Sequence, residues 1–369
     1  MDLGSILFYK YQRFIKTLKI YLLLAGSGLI VMLADNDAGG ITTYTVTGAK
    51  YGYGLIWFLL LLLPVAYVVQ EMTVRLGAVT KRGHAEAIFD AFGSFWGWFS
   101  FLDLALVNWL TLVTEFIGMT AALAIFGINP LITVVIVSIV MMLMVLQGKY
   151  WTWEKIALLF AALNIVYIPA AFMVHPSVFQ VLAVGLVPHF PGGFNGTLFF
   201  FLMVNIGTTI APWMIFFQQS AVVDKGMKEK VIPWGQMDTH IGSAFTVLVA
   251  IFLVVVAGTV LYGSEVESAA QAASFMMATS PWLSTFIAIG LFNAGFLGAI
   301  CIQFLGIWRS IRLGAHLKPE DPGGTVVLCL LPSCTCQCRG CCPDSRRPAR
   351  AHHPLCPGHC SHPVTGWSS

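Results

Sequence analysis

Residues 31–54, VMLADNDAGGITTYTVTGAKYGYG, set Asp35, Asp37 and the pair Gly39–Gly40 into an apolar run that begins at Tyr21. An apolar helix of membrane-spanning length tolerates few ionisable groups, because at bilayer depth they are costly unless they face a cavity or an ion path. The two glycines are expected to interrupt the helix over Asp37–Gly40. Discontinuous membrane helices place free backbone carbonyls and half-helix ends around a substrate near the bilayer midplane. A second broken helix is expected at Asn195–Val223, NGTLFFFLMVNIGTTIAPWMIFFQQSAVV, where Gly207 and Pro212 interrupt another apolar run.

Composition supports this reading. Hydrophobic residues make up 57% of the chain and charged residues 10%, against about 25% charged in a soluble domain, and the mean hydropathy is +0.81. The chain reads as an all-α, polytopic membrane protein whose partner is the lipid bilayer. Its net charge of +3 bears on orientation rather than on nucleic acid, since Lys and Arg sort to cytoplasmic loops. No cleavable signal peptide is evident.

Residues 1–20 form a basic, amphipathic lead-in of the kind that lies at a cytoplasmic interface. The transporter-like region, 21–318, holds eight expected spans. The first is the broken one; then follow Gly54–Thr73, Phe99–Ile125, Leu131–Leu146, Ile156–Val174, the broken Thr197–Val223, Ile241–Tyr262 and Leu283 to about Ile311. With the N-terminus inside, Lys10, Arg13, Lys16, Lys19, Arg75, Lys81, Arg82, Lys149, Lys155, Lys225, Lys228, Lys230, Arg309, Arg312 and Lys318 fall on the inner side. Lys50 alone falls outside, the asymmetry expected of a multi-pass plasma-membrane (inner-membrane) protein with a cytoplasmic N-terminus.

Residues 319–369 differ from the rest. Cys334, Cys336, Cys338, Cys341, Cys342, Cys356 and Cys360 crowd with Pro, Arg and His, yet the spacing fits no paired CxxC zinc arrangement. A frameshifted or mis-spliced reading, disordered in the protein, fits this composition better than a zinc module. A disulfide scaffold fits least, since the topology leaves the tail in a reducing compartment.

The stretches ADNDAGGITTYTVTGAKYGY, VVQEMTVRLGAVTKRGHAEAI and GTTIAPWMIFFQQSAVV resemble the NRAMP family of divalent metal transporters, and most of all its magnesium-transporting branch, over about Tyr21–Leu313. The resemblance implies a LeuT-like inverted-repeat fold with helices 1 and 6 broken. Here eight of the usual ten or more spans are present, and the aberrant tail begins where the ninth would follow. Departures from the ordinary family pattern are informative. The family's DPGN reads Asp37, Ala38, Gly39, Gly40, which keeps the carboxylate and loses the amide ligand. The family's MPH reads Ala211, Pro212, Trp213, which loses the thioether, and Leu112 stands where an Asp is usual while Glu115 remains.

These changes share a chemical direction. Thioethers suit softer metals, whereas carboxylates, carbonyls and water suit magnesium and manganese. Magnesium gives up its water reluctantly, so a roomier site with small residues at positions 40 and 211 suits a partly hydrated ion. The expected ligands are Asp37 and backbone carbonyls near Gly40 and Thr209 or Ala211, with Glu115, Trp213 and Asp35 lining the cavity or standing behind the ligands. Each has a plainer reading: Asp37 as a helix N-cap, Gly40 and Ala211 as packing positions, Trp213 as wall. Asn205, Thr208, Thr209, Gln218 and Gln219 fit a role in satisfying backbone freed by Pro212.

The resulting expectation is a secondary transporter, not an enzyme and with no cofactor, that moves magnesium and manganese into the cell without proton coupling. No obligatory protein partner is inferred. The alternatives are a proton-coupled Mn/Fe transporter of the ordinary type, a sodium-coupled symporter for a small solute, or a defective fragment.

Overall fold

A computed structural model describes residues 26–302 apart from 148–149. The lead-in, the tail and the part of span 8 beyond Ile302 lie outside the described residues, and so do their expected roles. Every regular element described is helical.

The first span is two helices, α1 (Ser27–Ala34) and α2 (Ala38–Tyr51). It is followed by α3 (Ile56–Thr80), α4 (His84–Ala124) and α5 (Pro130–Gln147). Span 5 is α6 (Tyr150–Leu163), a 3₁₀ turn at Asn164–Val166 and α7 (Tyr167–Met173). A short helix, α8 (Val178–Gly185), leads to the second broken span, α9 (Gly196–Thr209) and α10 (Pro212–Asp224). Then come α11 (Ile232–Val260), the short α12 (Ala269–Thr279) and α13 (Pro281–Cys301).

Six helical stretches among the described residues are long and apolar enough to cross a membrane. The broken first span and the shorter apolar α5 make up the eight expected. Helix starts follow local rules. Asn195 accepts from the Leu198 N–H at 2.8 Å, Ser268 from Gln271 and Ser280 from Leu283, each as an N-cap. Pro281 opens α13 at a position where its missing N–H costs nothing. Within α4, Gly93 has φ 82°, a left-handed value that only glycine adopts freely, and it kinks the helix nearly two turns before the expected span start at Phe99.

α11 is the centre of the bundle. It packs on α1, α2 and α3, and its Val249, Ala250, Leu253, Val254 and Ala257 are buried. α13 packs on α4 and α12. Large apolar side chains on the outward faces of α3, α4 and α5, among them Leu61, Trp109, Leu131 and Ile136, suit contact with acyl chains rather than water.

Candidate functional site

The break in the first span falls at Asp35–Asn36–Asp37, two residues earlier than expected. Gly39 and Gly40 lie inside the first turn of α2 rather than at the interruption. The cause is Asp37. It takes the extended conformation of an N-cap, φ −73° and ψ 178°, and its Oδ1 accepts the Gly40 N–H at 2.6 Å. The capping role and the site role thus fall on one carboxylate.

Around this link the helix ends are satisfied by side chains from other helices, as buried backbone groups must be. The Thr246 hydroxyl of α11 donates to the Met32 carbonyl. Asn164, in the 3₁₀ turn of span 5, donates from Nδ2 to the Leu33 carbonyl at 2.9 Å and accepts from Asn293 Nδ2 of α13 at 2.7 Å. Asn36 Nδ2 donates to the Thr246 carbonyl at 3.3 Å. Glu115 Oε2 of α4 accepts the Ala38 N–H at 3.1 Å. Small residues admit Glu115 this close: a Cβ on Gly298 would stand 2.5 Å from Glu115 Oε1, and one on Gly118 2.3 Å from the Ala38 methyl.

The link carries concentrated acidity. Asp35 is 1% exposed, Asp37 9% and Glu115 0%. Among the described residues the ion pairs lie elsewhere, at Arg75–Glu71, Arg82–Asp90 and Lys225–Glu154. Both oxygens of Asp35 and Oε1 of Glu115 are buried without a hydrogen-bond partner. Carboxyl groups buried in this way are relieved by a counter-charge or by a proton shared between neighbours.

The second break is Ile210–Ala211. α9 ends at Thr209, and α10 begins at Pro212 with no side chain capping Ala211. Gly207, expected as part of the interruption, is helical. The two broken spans run antiparallel, as a sequence of contacts records: the Thr43 and Thr208 hydroxyls at 3.4 Å, Tyr44 and Thr209 at 3.2 Å, Thr47 and Asn205 at 3.1 Å. The rings of Tyr51 and Phe201 close the series. From residue 44 to residue 51 the partner falls from 209 to 201, so the second break lies against the start of α2.

Of the expected site residues, Asp37, Gly40 and Thr209 come together, with Asp35 adjoining Gly40 and Glu115 reaching the same turn through Ala38. The Thr209 hydroxyl is committed, donating to the Asn205 carbonyl at 2.9 Å, but its own carbonyl ends α9 and has no intrahelical donor by position. The Ala211 carbonyl accepts the Met214 N–H at 3.1 Å, and its second lone pair remains. Trp213 is buried with its ring 6.2 Å from Phe217, a wall.

One expectation needs correction: Gly40 does not empty volume. A Cβ there would lie 2.9 Å from the Asp35 carbonyl oxygen and 3.1 Å from Thr208 Cγ2. The glycine permits close approach of α9 to the break. Leu112 is also away from the site. It lines a groove between α4 and α5 with Trp109, Val113, Phe116 and Val134, so α4 turns Glu115 and not residue 112 toward Asp37. Among the described residues, no three His, Cys, Asp or Glu side chains converge with metal-binding geometry. Any cation held here takes carbonyls, hydroxyls and water beside one or two carboxylates.

Sequence reasoning missed Asn164, Thr246 and Asn293, whose only signal is an isolated polar residue in an apolar run. It also missed a buried cluster at the opposite end of α1. Asp238 Oδ2 of α11 accepts the N–H groups of Gly26 at 3.0 Å, Gly28 at 2.8 Å and Leu29 at 3.2 Å, an anion at a helix N-terminus. Beside it Lys225 pairs with Glu154 at 2.5 Å, and Gln218 donates to the Thr239 hydroxyl at 2.6 Å.

Comparison with known proteins agrees with this architecture. A transporter named divalent metal cation transporter MntH from Lacticaseibacillus casei is 24% identical over 326 residues, covering 85% of this chain and 67% of that one. The protein of the same name from Deinococcus radiodurans is 24% identical over 285 residues, covering 73% and 64%. The crystal structure of the Eremococcus coleocola manganese transporter, in complex with an aromatic bis-isothiourea substituted compound, superposes with a TM-score of 0.70 at 22% identity, covering 82% of this chain and 67% of that one. The chain spans about two thirds of the length of these relatives. The fold is the LeuT-like one of those transporters. The sequence profile of the natural resistance-associated macrophage protein-like (Nramp) family matches residues 28–308, and the chain belongs to that family.

Proposed function

We propose that the chain is the core of a divalent-cation transporter that carries magnesium and manganese as partly hydrated ions by alternating access, in the plasma membrane with its N-terminus in the cytoplasm. The observation that carries the reading is the buried Asp37 at the first break, bonded to Gly40, against which the end of α9 packs through Thr208, with no sulfur or nitrogen side-chain donor on Asp37, Gly40, Thr209 or Ala211. Hard oxygen donors and retained water suit magnesium and manganese. Asp37, the carbonyls of Thr209 and Ala211, and the backbone at Gly40 would form the protein's share of the coordination. Glu115, bonded to Ala38, holds the start of α2 rather than the ion.

Transport is proposed to be uncoupled from protons. Trp213 and Leu112, which stand where the ordinary family pattern has His and Asp, cannot carry a proton. The test is uptake of magnesium and of manganese into proteoliposomes with a pH-sensitive dye inside. Uptake of both ions without internal acidification is expected, and acidification that scales with flux would overturn the uncoupled mechanism. A second reading, a proton-coupled manganese transporter, takes its manganese from the printed name of the Eremococcus coleocola neighbour and its proton carrier from the buried Glu115, and that acidification is its signature. In either case Ala211→Met, which adds a thioether beside the site, should raise cadmium binding relative to magnesium.

A further inference from the structure

We infer that Asp35 is a second anionic member of the site, so that the cation is held between two carboxylates, Asp35 and Asp37, and keeps water on its other faces. This rests on the reading of the first break as a divalent-cation site and adds to it a group that the expected ligand set left in the background.

The three buried carboxylates at the break are not equivalent. Asp37 accepts the Gly40 N–H and Glu115 accepts the Ala38 N–H. Asp35 has nothing: it is 1% exposed and neither of its oxygens has a hydrogen-bond partner. Among the described residues no basic side chain forms an ion pair with it. A carboxylate held in this way is costly unless a cation completes it.

Its position says which cation site it completes. The backbone of Asp35 and the end of α9 meet at Gly40, where a Cβ would lie 2.9 Å from the Asp35 carbonyl oxygen and 3.1 Å from Thr208 Cγ2. The Tyr44 hydroxyl bonds to Thr209 Oγ1, at the end of α9. Asp35 is therefore on the side of the break that meets the second broken span. The neighbouring Asn36 Oδ1 is also buried without a partner, a neutral oxygen beside the charged pair. Two carboxylates carry the charge that balances one divalent ion, and they give the site a reason to prefer divalent over monovalent cations. Among the described residues no three acidic, His or Cys side chains are arranged to hold a metal ion together, so water fills the remainder of the shell, in keeping with an ion such as magnesium that sheds water reluctantly.

The test is calorimetric titration of the purified full chain with magnesium chloride and with manganese chloride, with and without sodium chloride as competitor. The variants are Asp35→Asn, Asp35→Glu and Asp37→Asn. Asp35→Asn should weaken both divalent ions about tenfold or more and make their binding more sensitive to sodium. Asp35→Glu, which keeps the charge, should restore most of the affinity and change the magnesium-to-manganese ratio. A divalent affinity in Asp35→Asn equal to the parent's overturns the inference, and does so while leaving the site standing if Asp37→Asn has lost binding. Parent-like binding in both asparagine variants overturns the site reading itself. Should Asp35→Asn fail to purify as a single species, Asp35→Glu decides: an unchanged magnesium-to-manganese ratio there overturns the inference.

Discussion

The two helix breaks face one another and are built on opposite plans. At Asp35–Asp37 the ends of α1 and α2 are braced from outside, by Thr246, by Asn164 with Asn293 holding it, and by Glu115, on four other spans, and by Asp37 itself. At Ile210–Ala211 the N-cap is an alanine, with no side chain to cap the new helix, and Pro212 stands at its first position. The first break is a fixed polar frame and the second a backbone interruption with few ties. Charge belongs on the fixed one, because a buried carboxylate loses its geometry when its surroundings move, while carbonyl donors on the looser partner adapt to an ion and its water.

Substitutions can break this contrast, and the largest effect belongs to the far end of the fixed half. Asp238→Ala removes one carboxylate from three N–H groups of α1. It should destabilise the protein by about 3 kcal/mol, at hydrogen-bond values of about 1.5–3 kcal/mol where a charge is involved. Thermal unfolding in detergent measures this, and loss of hydrogen-exchange protection confined to Gly28–Ile30 would locate it.

Next is Asn164→Leu, which leaves the Leu33 carbonyl and the Asn293 amide without their partners. A cost of about 1–3 kcal/mol is expected from the stranded groups, with weaker divalent binding as the break loosens. Pro212→Ala, its counterpart at the second break, should cost under about 1 kcal/mol, since a proline at a compatible position acts through the unfolded chain. Equal losses from the two substitutions would remove the contrast.

The last pair is the most discriminating in sign. Gly40→Ala puts a methyl 2.9 Å from the Asp35 carbonyl and should cost about 1–3 kcal/mol by overpacking. Gly207→Ala, where a Cβ would meet nothing within 4 Å, should stabilise α9 by about 0.5–1 kcal/mol. Melting temperatures of the two variants should move in opposite directions.

Much of the fold was legible because apolar run length and the placement of Lys and Arg register directly in sequence. The eight spans and both broken helices were expected, and so were Asp37, Glu115 and Thr209 as members of one region. The details that failed were local competitions. Gly39–Gly40 reads as a helix breaker, yet a capping aspartate one turn earlier starts α2 and carries both glycines into it. Gly40 reads as empty space, yet α9 closes over it. Asn164 and Asp238 were invisible as partners of α1, and Asn293 as the residue that holds Asn164, because each is a lone polar residue far away in the chain. Their roles appear only when α11, α13 and span 5 are packed together.

The central claim is that the carboxylate of Asp37, at the fixed break, holds a divalent ion. Titration of the purified chain and of Asp37→Asn with magnesium and manganese tests it most directly, because asparagine is as good an N-cap as aspartate and separates charge from capping. The account predicts a melting temperature within about a degree or two of the parent together with a loss of affinity for both ions of at least about tenfold. Parent-like affinity for magnesium in Asp37→Asn, with the fold intact, would contradict it.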